Sequence, residues 1–151
     1  MVYALIVLSI ICSDLFTKKL ISDKLYIEEK KEIIKNKVYL WHKKNKGFSY
    51  NKLEDNPFCV KAISGSVCVF SLFALKSVIF EKRIDFSKLS FCLCFAGAVS
   101  NFIDRLKNGS VTDFIYVKFK NAPIFNLADV FIVFGFVSFV LSYFINSLKT
   151  K

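Results

Sequence analysis

The stretch from Gly97 to Asp129, GAVSNFIDRLKNGSVTDFIYVKFKNAPIFNLAD, carries the acids Asp104, Asp113 and Asp129 and the amides Asn101 and Asn126. Long apolar runs lie on either side of it. A carboxylate in such surroundings is costly to keep charged, so its presence calls for a chemical reason. Two carboxylates with no histidine, metal-ligand cysteines or serine–lysine pair beside them point to acid–base chemistry. If they lie close together, both cannot ionise, and one proton is shared. One carboxylate then acts as base toward water while the other, protonated, polarises a carbonyl, which is the logic of aspartic proteases.

Spacing places the supporting residues. Gly97, Asn101 and Asp104 fall at i, i+4 and i+7 and share one helical face. Asn126 and Asp129 fall at i, i+3 and share another. Ala96, Gly97 and Ala98 allow a neighbouring helix to approach closely. Structural readings stand beside these. Asp104 next to Arg105 at a helix end reads equally as an ion pair or cap. Asp14 and Lys18, one helical turn apart, read first as a structural pair. Asn126 reads as a helix cap, and Asp113 as a solvated loop acid. Asp129, set inside an apolar run, is the hardest to explain as structure alone.

The elements that must position these residues follow from the hydropathy pattern. The chain has 151 residues, 54% of them hydrophobic, with 18 Phe but 5 Gly and 2 Pro. Charges sit between apolar blocks. This is the composition of one polytopic membrane domain spanning residues 1–151. Segment one runs from Val2 to Leu20. At about 1.5 Å per residue it measures roughly 28 Å, close to the hydrocarbon thickness of a bilayer. Segments two, three and four run over Pro57–Phe80, Phe86–Leu106 and Pro123–Leu148. The turn EKRIDFSK separates the second from the third. Between segments one and two lies a lysine-rich connection whose piece VYLWHKKNKGFSYN suggests short strands and turns. VTDFIYVKF, after the Asn108–Gly109 turn signal, reads as a further extended stretch. Four spans bring Asp14, Asn101, Asp104, Arg105, Asp113, Asn126 and Asp129 to the same membrane surface.

The formal net charge of +10 is mostly lysine. With these apolar blocks it points to anionic lipid headgroups rather than nucleic acid. Cys12, Cys59, Cys68, Cys92 and Cys94 all lie in apolar runs and read as small buried hydrophobes, not disulfides or a metal site. His42, the single histidine, reads as a surface or interface residue. The functional readings left open are a membrane aspartyl protease, a small transporter or proton-relay subunit, a metal-dependent lipid-headgroup transferase, and a scaffold without chemistry.

The motifs resemble those of the bacterial lipoprotein signal peptidases (signal peptidase II). Three carry the likeness closely: Gly97-x-x-x-Asn101-x-x-Asp104-Arg105, Gly109-x-Val111-x-Asp113-Phe114, and Phe125-Asn126-x-Ala128-Asp129. Two are looser. Asp14-Leu15-Phe16-Thr17-Lys18 has Leu15 where that family usually has Gln. Asn45-Lys46-Gly47-Phe48-Ser49-Tyr50 lacks the usual Ala pair and final Phe. The resemblance implies a bundle of four transmembrane helices with a small extramembrane β platform in the first loop. It implies an aspartyl endopeptidase that cuts the signal peptide from diacylglyceryl-modified prolipoproteins, just before the lipidated cysteine. Asp113 and Asp129 would be the catalytic pair. Asn101, Asp104, Arg105, Asn126 and Ala128 would line and order the site. Asn45 and Gly47 would belong to the platform, and Asp14 and Lys18 would brace the pocket from segment one. A carboxamide of Asn45 or Asn101, or the Arg105 guanidinium, would steady the developing oxyanion. No metal or cofactor is expected. The expected partners are the lipid-modified substrate, membrane lipids and a globomycin-type inhibitor, with a monomer as the working unit. The location implied is the bacterial cytoplasmic membrane with the site toward its outer face. The positive-inside rule applied to the first loop points the other way.

Overall fold

In a computed structural model, described over residues 2–48, 52–79 and 86–149, the chain forms four helices and four strands. In chain order these are α1 (Val2–Lys24), β1 (Lys30–Ile34), β2 (Val38–Asn45), α2 (Pro57–Ile79), α3 (Phe86–Asn108), β3 (Val111–Val117), β4 (Ile124–Phe125) and α4 (Leu127–Lys149). Of the turn expected at Glu81–Lys88, residues 81–85 lie outside the described residues and Phe86–Lys88 already belong to α3; the loop residues Ser49 and Tyr50 also lie outside the described residues.

Local chemistry sets the helix ends. Pro57 opens α2, where its missing N–H costs nothing, and the Asn56 side chain accepts the Cys59 N–H at 3.2 Å as a cap. At the far end of α3 the chain turns at Gly109, φ +70°, a conformation that glycine adopts without strain. Its N–H donates back to the Arg105 carbonyl at 3.0 Å.

Among the described residues, three helices are long and apolar enough to cross a membrane: Pro57–Lys76, Ser87–Asn108 and Leu127–Ile145. Helix α1 matches them in length but carries Asp14, Lys18, Lys19, Asp23 and Lys24 in its second half. Helix α3 is the central one and packs against α1, α2 and α4. A small apolar cluster of Ile10, Leu93 and Ala96, with Phe131 against it, ties α1, α3 and α4 together. Elsewhere the usual distribution is inverted. Phe70, Phe73, Val133, Phe134 and Phe144 point outward, while Asp14, Asn101, Asp104 and Asn126 are buried. A surface of that kind is stable against lipid and not against water.

The strands make one antiparallel sheet in the order β1-β2-β3-β4. Tyr39 pairs with Tyr116, Lys43 with Asp113, and Asn45 with Val111. The register shifts between Leu40 and Lys43, which marks a bulge in β2.

The structure corrects several expectations. The platform is not confined to the first loop. Strands β3 and β4 come from the connection between α3 and α4 and complete the sheet on the free edge of β2. The last helix begins at Leu127, not Pro123, because Ile124 and Phe125 pair with Tyr116 and Ile115 as a strand. His42 is not at the surface: it is buried, within the stretch of β2 where the register shifts, and its Nδ1 lies 2.9 Å from the Leu25 carbonyl, between the sheet and the end of α1. All five cysteines are free, but Cys12 is exposed and Cys59 and Cys94 are half-buried.

Candidate active site

The site grows from the first turn of α4. Asn126 caps the helix: its Oδ1 accepts the Asp129 N–H, and Asp129 Oδ2 accepts the Asn126 N–H, both at 3.0 Å. This reciprocal cap satisfies two backbone donors that would otherwise be orphaned. A third, the Ala128 N–H, donates to Asp14 Oδ1 of α1 at 2.8 Å. The other Asp14 oxygen accepts from Ser100 Oγ at 2.6 Å and pairs with Lys18 Nζ at 2.7 Å. Helix α1 thus holds the turn that presents Asp129, and the i, i+4 pairing of Asp14 with Lys18 is realised.

Asp113 arrives from the sheet. Its Oδ1 accepts Asn126 Nδ2 at 2.8 Å and its Oδ2 accepts Asn45 Nδ2 at 3.0 Å. Asn126 Nδ2 also donates to Asn101 Oδ1 at 3.1 Å. Asn101 Nδ2 donates to Asp129 Oδ1 at 2.9 Å. Two asparagines therefore link the two aspartates in an unbroken chain of hydrogen bonds. Their amide orientations are fixed. Lys18, which can only donate, reaches Asn101 Oδ1 at 2.7 Å and turns its NH₂ toward Asp129. The Asp129 N–H holds Asn126 Oδ1 in the same way, leaving its NH₂ for Asp113.

Asp104 and Arg105 do not form the neighbour ion pair that their adjacency suggested. Asp104 accepts the Thr112 N–H at 2.8 Å and Asn108 Nδ2 at 2.6 Å. It fixes the corner at which α3 becomes β3, and so the position of Asp113. Arg105 Nη2 donates to the Gly47 carbonyl at 2.9 Å, and the guanidinium lies 5.4 Å from the Phe48 ring. Its Nε is buried without a partner among the described residues. Asn45 Oδ1 accepts the Gly47 N–H at 3.1 Å, which binds this loop to the residue that holds Asp113.

Asp113 and Asp129 both open into one cavity of about 790 Å³. Asn45, Ser64, Asn101 and Arg105 supply its other polar lining, and the remaining walls are mostly apolar, from α2, α4 and the β4 region. Asp113 is 4% exposed. Burial, and then the Asp129 charge, push its carboxyl from 3.8 up to about 6, against the pull of the Asn45 and Asn126 donors. Among the described residues no three His, Cys, Asp or Glu side chains converge as a metal-binding group would.

The pattern of signal peptidase II matches residues 6–145. The chain belongs to the signal peptidase II family. It is therefore an aspartic intramembrane peptidase and an integral membrane protein. It is 31% identical to the lipoprotein signal peptidases of Listeria monocytogenes serotype 4a and Listeria innocua serovar 6a, over all of this chain and 98% of each relative. A bacterial membrane enzyme solved by the in meso method superposes with a TM-score of 0.87 at 25% identity, covering 99% of this chain and 92% of that one. The site residues named from the family motifs meet in this network: Lys18 Nζ also stands 3.8 Å from Asp104 Oδ2, Ala128 joins through its backbone N–H, and Gly47 through both its N–H, to Asn45, and its carbonyl, to Arg105.

Four participants were not read as site residues from the sequence. Ser100 bonds Asp14, and Asn108 bonds Asp104. Thr112 gives Asp104 its backbone N–H and accepts Lys44 Nζ at 2.8 Å on its hydroxyl. Phe48 flanks Arg105. Ser100 was open to detection as a small polar residue in an apolar helix one step before Asn101. The Thr112 contact to Asp104 leaves no side-chain signature.

Proposed function

We propose that Asp113 and Asp129 are the catalytic pair with which this family member removes the signal peptide from diacylglyceryl-modified prolipoproteins, cutting before the lipidated cysteine. The observation that carries this reading is their shared opening into one mostly apolar cavity, joined behind by Asn126 and Asn101. Asp113, with its carboxyl titrating near 6, holds the proton that polarises the scissile carbonyl. Asp129 takes a proton from the attacking water. The water oxygen bonds the carbonyl carbon, and the Asp113 proton passes to the carbonyl oxygen. Asp129 then returns its proton to the leaving nitrogen as the C–N bond breaks, and Asp113 recovers one from the diol. A carboxylic acid and a free amine result.

Three groups were candidates to steady the oxygen. The Asn45 and Asn101 NH₂ groups already serve Asp113 and Asp129. Arg105 lines the cavity with a buried Nε–H to spare, which favours it for this role.

The membrane arrangement follows the same reading. Helix α1 crosses as a fourth span, its charged half at the level of the site, and the sheet lies at the outer surface of the bacterial cytoplasmic membrane. Lipids cover the apolar faces, the working unit is a monomer, and a globomycin-type peptide competes for the cavity. Family membership does not favour the transporter or proton-relay alternative.

The test is cleavage of a lipidated prolipoprotein by purified wild type, Asp113→Asn and Asp129→Asn. Both variants should fold and lose activity by about 10²–10⁴-fold. Substantial cutting by either one removes the pair from the mechanism.

A further inference from the structure

Asp113 stands between two cavities of different character. Besides the large apolar one, it lines a smaller cavity of about 400 Å³ on the sheet side, together with Trp41, Lys43, Tyr116, Asn121 and Ala122. Asn45, Pro123 and Ile124 border both. The small cavity is walled by strands and by the turn before β4, away from the apolar surfaces of α2 and α4.

Its rim is basic and aromatic. Trp41 and Tyr116 meet edge to face at 5.3 Å between ring centroids. Lys30 Nζ lies over both, at 4.8 and 4.5 Å. Lys43 Nζ lies 5.3 Å from the Trp41 ring and 3.7 Å from Glu28 Oε1. That ion pair is loose, with the Lys43 side chain 37% and the Glu28 side chain 55% exposed. Such pairs contribute little, so Lys43 can exchange Glu28 for another carboxylate at small cost.

A prolipoprotein changes character at the bond that is cut. Upstream of it lies an apolar segment, and the first residue downstream carries acyl chains that stay in the bilayer. The residues after that lead to a water-soluble chain. The cavities on the two sides of Asp113 differ in the same sense. We propose that the small cavity receives the second and third residues downstream of the cleaved bond, and that Lys43, which lines it beside Trp41, favours an acidic side chain there. This rests on the peptidase reading above and adds a specificity determinant to it.

The experiment uses lipidated peptides carrying Asp, Asn or Lys at the second or the third downstream position, cut by wild type, Lys43→Glu and Lys43→Gln. Wild type should prefer Asp over Lys by about two- to five-fold in kcat/KM, as expected for an exposed ion pair. Added salt should shrink the preference. Lys43→Glu should reverse it and Lys43→Gln should flatten it, each read as the ratio of Asp to Lys peptides within one variant, with that variant's own Asn peptide as the neutral reference. Equal kcat/KM for all peptides with wild type, or the same Asp-to-Lys ratio in Lys43→Glu as in wild type, overturns the proposal. Failure of wild type to cut any lipidated peptide instead overturns the peptidase reading beneath it.

Discussion

At the scale of single residues, the site depends on the direction in which each amide points. Two asparagines aim their NH₂ groups at two carboxylates because a lysine and a backbone N–H claim their oxygens. This makes a pH prediction. Asp113 must be protonated to polarise the carbonyl, and its carboxyl is lifted to about 6, so kcat/KM should fall as pH rises through that value. The Asn45 donor stabilises the ionised form of Asp113. Removing it in Asn45→Ala favours the protonated form and should move the alkaline limb upward, by about half to one pH unit. A pH–rate profile of both proteins checks this. A limb that stays in place or moves down would show that Asp113 does not carry the working proton. The residue types and the Asn126 cap were legible in the sequence; the direction of the Asn101 amide was not, because it depends on Lys18, far along the chain.

At the scale of elements, the meeting of α3 with α4 places Asp129. A Cβ on Gly97 would come within 2.6 Å of both the Ala128 carbonyl and Ile132 Cγ1. The carbonyl belongs to the capped turn and cannot yield without displacing Asp129. Gly97→Val should therefore lower kcat/KM by at least about ten-fold and destabilise the fold by about 1–3 kcal/mol. Gly65→Ala is the contrasting case, since its Cβ would meet a Phe102 ring edge at 3.2 Å that can shift slightly. It should keep most of the activity. Cleavage assays and thermal melting in detergent compare the two, and equal behaviour would remove the close helix contact from the argument. The small-residue run around Gly97 announced this contact. The late start of α4 was hidden, because Pro123, Ile124 and Phe125 continue the apolar run and only pairing with β3 makes two of them a strand.

At the scale of the whole molecule, apolar helices face outward and charge gathers within. Lysines crowd the first loop, where the positive-inside rule and the family orientation disagree. The proposed chemistry requires the sheet outside, since the product is exported. Lys35, exposed in the β1–β2 hairpin, reports on this. Lys35→Cys should react with a membrane-impermeant maleimide in intact cells, above the labelling of the parent chain. Protection until the cells are opened would reverse the orientation.

By itself the sequence determined the long apolar segments, the extended stretches between them and the acids and amides near one end of segments one, three and four. These are local properties, set by hydropathy, helical period and turn residues. Only the tertiary structure decided that Asp14 reaches the Ala128 N–H, that Asp104 turns from Arg105 to the Thr112 N–H, and that two loops share one sheet with His42 beneath it. Those outcomes depend on which buried donors remain unsatisfied once the helices have packed. A hydrogen bond between residues a hundred positions apart has no period along the chain from which to be read.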